Sequence, residues 1–268
     1  MKKEAENFLQ KLEVRRFNQD YTPPPDHKTL TIRGQLVGST SNFVVYSGLP
    51  KTGKTTFISA LLSSAIHPGE FFGMKLHLPS GRNRIAYFDT ESSEYDHYRT
   101  IERIKNFTTF NRLPDNLDTY ILRQDNHITI MRYIEEYLKA FPDCAVMVLD
   151  GLLDLILNYN SEEECRILIQ FIKRITAQFN ILLVTVLHLG KKDKETLGHL
   201  GSASDRYAQS TLIIEKDKEQ QTYNLSPKFM RSDSDFETVS IKNFSGVWHE
   251  VAYEAPASEQ IKRKPKTK

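Results

Sequence analysis

Gly48, Leu49, Pro50, Lys51, Thr52, Gly53, Lys54 and Thr55 run in the order Gly-x-x-x-x-Gly-Lys-Thr, a spacing suited to holding phosphate groups. Glycine at both ends of the loop lets successive backbone N–H groups converge on one anion. Lys54 would reach the β- and γ-phosphates of a nucleotide, and the Thr55 hydroxyl would ligate Mg²⁺. Thr56 follows where a helix should begin, and its N-terminal amides would extend the same anion site. A nucleoside triphosphate with Mg²⁺, either ATP or GTP, is the expected ligand.

Three further positions could act on that ligand. Asp150 ends the apolar run Ala145-Val146-Met147-Val148-Leu149. At the carboxyl end of a buried strand, an acid would face the nucleotide crevice and hold Mg²⁺ together with Thr55. The run Tyr87-Phe88-Asp89-Thr90-Glu91 places two carboxylates just past a second apolar stretch. Either Asp89 or Glu91 could polarise the attacking water, or cap the helix that follows. His188 ends the run 181–187 and could sense the γ-phosphate by hydrogen bonding, or be structural. The polar segment from Lys191 to Gly201 is long enough for a functional loop.

These residues need a scaffold that brings strand ends together. Residues 42–47 read as a strand before the loop and 56–62 as a helix after it. Strands are expected at 84–89, 119–122, 145–150 and 181–187, with helices over 94–106, 128–140 and 162–178 between them. Apolar strands alternating with helices predict an α/β fold with a mostly parallel sheet covered on both faces. Residues 210–215, 221–225, 238–241 and 247–251 look like short antiparallel strands closing the chain. Residues 1–29 read as an arm with a short helix around Phe8, Leu9 and Leu12 and a Pro23-Pro24-Pro25 linker. Residues 30–253 form one domain, and 254–268 a basic tail.

The length of 268 residues and a 39% hydrophobic, 26% charged composition suit a soluble globular protein. A net charge of +2 is too small to announce nucleic acid on its own. The tail from Ile261 to Lys268 reads either as a solvated end or as an arm touching nucleic acid. Cys144 and Cys165 have no metal-ligand spacing and read as reduced packing residues. No apolar stretch follows the first lysines and none is long enough to span a membrane, so the chain reads as cytoplasmic with no membrane contact.

With these motifs in order, the chain resembles the RecA-like ATPases. It is most similar to the branch of plasmid RepA hexameric helicases and their mobile-element relatives, cousins of the DnaB-type helicases. The likeness rests on Ser47 through Thr56, Tyr87 through Glu91, Val148-Leu149-Asp150, Val186 through Lys191, Gly201 through Ser204 and Lys228 through Arg231. It implies a RecA-like P-loop core hydrolysing ATP, with Glu91 rather than Asp89 as the catalytic glutamate. It implies that His188 couples nucleotide state to DNA and that the Lys191–Gly201 loop faces single-stranded DNA in a ring. Lys228 and Arg231 would act in trans on a neighbouring subunit's nucleotide, with Arg206 as an alternative. Arg99 falls where relatives carry a nucleotide-contacting arginine. The expected assembly is a homo-oligomer, a hexamer, serving DNA replication, with a primase or replication initiator as candidate partners.

Overall fold

A computed structural model describes residues 2–22, 27–190 and 198–255. In chain order the first elements are helix α1 (Lys2–Glu13), the hairpin β1 (Lys28–Ile32) and β2 (Gln35–Ser39), strand β3 (Phe43–Gly48) and helix α2 (Lys54–Ile66). Then come β4 (Met74–Leu76), β5 (Arg84–Asp89), α3 (Glu94–Thr108), β6 (Leu117–Ile121) and α4 (His127–Ala140). Strand β7 (Cys144–Asp150) leads through a 3-10 turn to α5 (Glu162–Phe179), β8 (Leu182–His188) and α6 (Gly198–Tyr207). Four strands close the described chain: β9 (Ser210–Asp217), β10 (Thr222–Met230), β11 (Val239–Phe244) and β12 (Val247–Val251).

The main sheet has nine strands in the order β12-β11-β10-β9-β3-β8-β7-β5-β6. From β9 to β6 every neighbouring pair is parallel. Such strands alternate their side chains between two covered faces, so both faces must be apolar. Tyr46, Tyr87, Val148 and Val184 belong to one buried cluster with α2, while Val45, Phe88, Leu149 and Leu183 belong to the other with α4 and α5. Helix α2 is buried over ten of its thirteen residues and lies beside α3. The helices start where short polar side chains can cap them: Ser93, Asn126 and Ser161 each accept the amide three residues on.

The strand and helix expectations through the core are met, with ends moved by a few residues. Three points differ. Strands β1, β2 and β4 form a separate three-stranded antiparallel sheet, which short runs interrupted by turns do not reveal. Strand β9 is antiparallel to β10 but parallel to β3, so the reversal of direction begins one strand later than expected. Part of the segment read as a loop to Gly201 is helix, because α6 begins at Gly198. Residues 191–197, the Pro23–Asp26 stretch and the basic tail from residue 256 on lie outside the described residues. In the arm, Phe8, Leu9 and Leu12 are on α1 as expected and are exposed. Among the described residues no helix is long and apolar enough to cross a membrane.

Candidate active site

Register brings the site together. Gly48 pairs with His188 across β3 and β8, and Asp89 with Asp150 across β5 and β7, so all four stand at strand carboxyl ends. Strand β8 separates the loop strand from the strand bearing Asp150. The loop between β3 and α2 needs its glycines. A Cβ on Gly48 would lie 2.6 Å from the Ile214 carbonyl oxygen, and Gly53 has φ +89° with the Tyr223 ring 2.7 Å from where its Cβ would be. Gly53 caps α2 without a side-chain partner. The intrahelical bonds begin with the amides of Thr56 and Phe57, which leaves the amides of Lys54 and Thr55 directed at the hollow, as an anion requires.

Lys54 is buried beneath the loop and donates to the carbonyls of Gly48 at 3.1 Å and Leu49 at 2.9 Å. Its ammonium also lies 3.2 Å from His188 Nδ1, while His188 Nε2 lies 2.9 Å from Glu91 Oε1. An ammonium can only donate, so Nδ1 is the acceptor and the imidazole proton sits on Nε2, donated to Glu91. His188 therefore ties the lysine to the glutamate. Burial lowers the Lys54 pKa, opposed by the charges of Glu91 and Asp150. The His188 hydrogen bond lowers the Glu91 pKa against the effect of burial, and keeps the side chain a carboxylate at neutral pH.

The two carboxylates at and just past the end of β5 have different surroundings. Asp89 is fully buried and accepts the backbone amides of Glu91 and Ser92 and the ring of His97. Glu91 instead lines a hollow of about 280 Å³ together with Lys54, Thr55, Asp150 and His188. Asp89 is committed to holding the turn, and Glu91 faces the space where a γ-phosphate would lie. Gly151 closes the other side. It adopts φ +120°, and a Cβ there would fall 2.1 Å from Thr90 Oγ1 and 3.0 Å from Glu91 Cγ.

Asp150 is the buried acid of the hollow, and burial first, then the charges of Asp89 and Glu91, push its pKa up to about 7. A carboxylate so placed is short of a counter-charge. Mg²⁺ is commonly held by one or two protein groups plus phosphate oxygens, and Thr55 with Asp150 fits that donor set. Without the cation, the buried charge costs stability. The unfolded chain ionises Asp150 near 3.8, so the cost sets in as pH rises above that value and is complete above about 7. We expect Asp150→Asn to raise the melting temperature of the nucleotide-free protein by several degrees at pH 8, with the gain vanishing near pH 4. Thermal melts at the two pH values test this, and a lower melting temperature at pH 8 would contradict it.

Beyond Thr55 the hollow continues along α3. A space of about 340 Å³ is lined by Thr55, Glu91, Asp96, Arg99 and Arg103. Arg99 and Arg103 also border a larger one, about 850 Å³, that reaches Trp248 on the β11–β12 hairpin. Trp248 packs edge-on against Tyr223, the ring that meets Gly53. Of these α3 and hairpin groups, the family resemblance points to Arg99 alone. Tyr223 and Trp248 come from strands distant in the chain, and no local spacing connects them to the loop.

Lys228 and Arg231 are not at this site. Leu225 stands level with Ile214 and hence with Gly48, whereas Met230 stands level with Ser210 and Val44. Five strand residues place Arg231 about 15 Å or more from the loop, toward the opposite end of the sheet. Lys228 forms an ion pair with Asp205 at 2.7 Å, and Arg231 is exposed. Arg206 is exposed on α6, bordering a groove against α5.

A parallel sheet with a glycine loop leading into a buried helix, and with an acid and a polar group at neighbouring strand tips, defines a P-loop ATPase core. The family comparison agrees: a family model described as an AAA domain matches residues 9–194. The chain belongs to that AAA domain family. The match runs from α1 to just past His188 and leaves β9–β12 outside it. No curated protein matches the chain.

Proposed function

We propose that the protein is a ring-forming ATP-hydrolysing motor that moves along single-stranded DNA, a replicative helicase of a plasmid or mobile element. The observation that carries the reading is the placement of Lys228 and Arg231. They stand too far from their own phosphate loop to serve it, yet an exposed guanidinium at the opposite end of the sheet suits a γ-phosphate held by a neighbouring subunit. Hydrolysis is then tied to assembly, most simply in a hexamer. His188 supports the DNA part, since it contacts Lys54 and Glu91 and leads directly into the lysine-containing segment 191–197.

In this reading Glu91 accepts a proton from the attacking water, and Lys54 and the loop amides hold the phosphates. Thr55 and Asp150 hold Mg²⁺, which when bound would neutralise charge on the β- and γ-phosphates. The base and ribose of ATP lie along α3 toward Arg99 and Trp248. Trp248 is the single tryptophan of the chain, so its emission reports on that subsite. Adding ATP should change tryptophan fluorescence saturably, and inorganic tripolyphosphate should not. Equal responses to both would put the base elsewhere.

The motor itself is tested by nucleotide-driven strand displacement on a forked duplex. Directional unwinding that requires ATP and falls with rising salt is the expected result. ATP-dependent assembly on DNA without unwinding would move the protein to the recombination and loading ATPases of the same fold. Turnover blind to DNA would indicate a nucleotide-gated regulatory oligomer.

A further inference from the structure

Beneath the groups that face the hollow lies a sealed polar chain with no obvious need to be polar. Tyr87 and Asp89 are fully buried and His97 nearly so, and Tyr87 belongs to the apolar cluster that β5 and α2 share. Desolvating three such groups costs stability unless each is satisfied. Here they satisfy one another. His97 Nδ1 donates to Asp89 Oδ2 at 3.0 Å, and Asp89 Oδ1 accepts the amides of Glu91 at 3.2 Å and Ser92 at 2.9 Å. The Tyr87 hydroxyl lies 3.1 Å from Asp150 Oδ2 and 3.4 Å from Asp89 Oδ2. Its single proton goes to the nearer acceptor, Asp150, which leaves His97 as the donor to Asp89 Oδ2. The Tyr87 and His97 rings stack, with centroids 5.4 Å apart and planes 10° from parallel, so each fixes the other's orientation.

We propose that Tyr87 and His97 are positioning residues of the hydrolytic site, holding the Asp150 carboxylate and, through Asp89, the backbone turn that aims Glu91. The proposal rests on the reading of Glu91 as the base and Asp150 as the Mg²⁺ acid. Tyr87 lies two residues before Asp89 on one face of β5, and His97 lies on α3, two residues before Arg99. The network thus connects the helix that borders the base-side hollow to both acids. Neither Tyr87 nor His97 lines that hollow, so neither acts on the nucleotide directly.

The test uses the full chain and four variants: Tyr87→Phe, His97→Phe, His97→Asn and Glu91→Gln. Tyr87→Phe removes one oxygen and His97→Phe removes the donor. Each should lower kcat by about tenfold or more, the usual effect of losing an orienting partner, while KM for ATP stays within about twofold. The gain in ADP affinity on adding Mg²⁺ should shrink in Tyr87→Phe, a binding readout independent of turnover. His97→Asn keeps an N–H close to the Nδ1 position and should recover most of kcat. A purely structural role would lower the melting temperature and leave kcat of the folded protein and the Mg²⁺ effect unchanged, which would overturn the proposal. If His97→Phe does not fold, Tyr87→Phe decides. Wild-type turnover in Glu91→Gln would overturn the reading of the site and the proposal with it. Impaired Glu91→Gln beside unimpaired Tyr87→Phe would overturn the proposal alone.

Discussion

Glu91→Gln is expected to bind ATP with nearly unchanged affinity and to hydrolyse it at least a hundredfold more slowly, within the range of about 10²–10⁴ that a general base supplies. The side chain is placed for that role by its backbone and by its partner. Asp89 fixes the Glu91 amide, and His188 donates to its carboxylate at 2.9 Å. The His188 hydrogen bond, with burial opposing it and the charge of Lys54 assisting, holds the Glu91 pKa below its ordinary value. The carboxylate is therefore available as a base throughout the neutral range and is lost only as pH falls into the acid range. Glutamine keeps the shape and an acceptor for His188 but cannot take a proton. Phosphate release measured beside nucleotide binding separates the two effects. Unaltered turnover would transfer the base role away from Glu91, and Asp89, with both oxygens already engaged, is poorly placed to receive it.

The second large effect is expected from Lys54→Ala, which should weaken ATP binding on the order of a hundredfold and abolish turnover. Truncating one partner of a buried, hydrogen-bonded charge pair typically costs about 2–5 kcal/mol. Lys54 would be such a partner once a phosphate is bound: it is buried, and it now donates to the loop carbonyls of Gly48 and Leu49 and to His188. Incoming phosphates would replace these neutral acceptors with charged ones, which form stronger hydrogen bonds with an ammonium. Calorimetric titration with a slowly hydrolysed ATP analogue measures the loss. Affinity within a few-fold of the wild type would mean that the loop amides alone hold the phosphates. The two substitutions should differ in kind, the first trapping nucleotide and the second excluding it.

The parts of this site that lie in contiguous sequence are legible from residue types and spacing alone. The glycine loop, Asp150 and His188 each sit at the tip of an apolar run, and apolar runs flanked by helical spacing identify parallel strands. Residue type does not separate Glu91 from Asp89, because both are acids at the tip of the same strand. What separates them is depth: Asp89 points into the α2–α3 layer beside His97, and Glu91 stands at the rim. The network of Tyr87 with His97 is hidden for a related reason. A tyrosine in a buried strand and a histidine on a polar helix each have an ordinary explanation, and only their stacking brings out a shared role. Trp248 and Tyr223 are out of reach because the sheet order that sets β9 beside β3 and extends through β10 to β12 has no local signature. The β1–β2–β4 sheet escapes for similar reasons, since β4 has three residues and pairs with β1 across an intervening helix.

The most direct measurement is steady-state ATP hydrolysis by the full chain, with and without single-stranded DNA, over a range of protein concentration. If Lys228 or Arg231 completes a neighbour's site and His188 connects that site to a DNA-facing loop, specific activity should rise steeply with concentration. Single-stranded DNA should raise it further. Specific activity independent of both concentration and DNA would contradict the account and leave a P-loop ATPase that works alone.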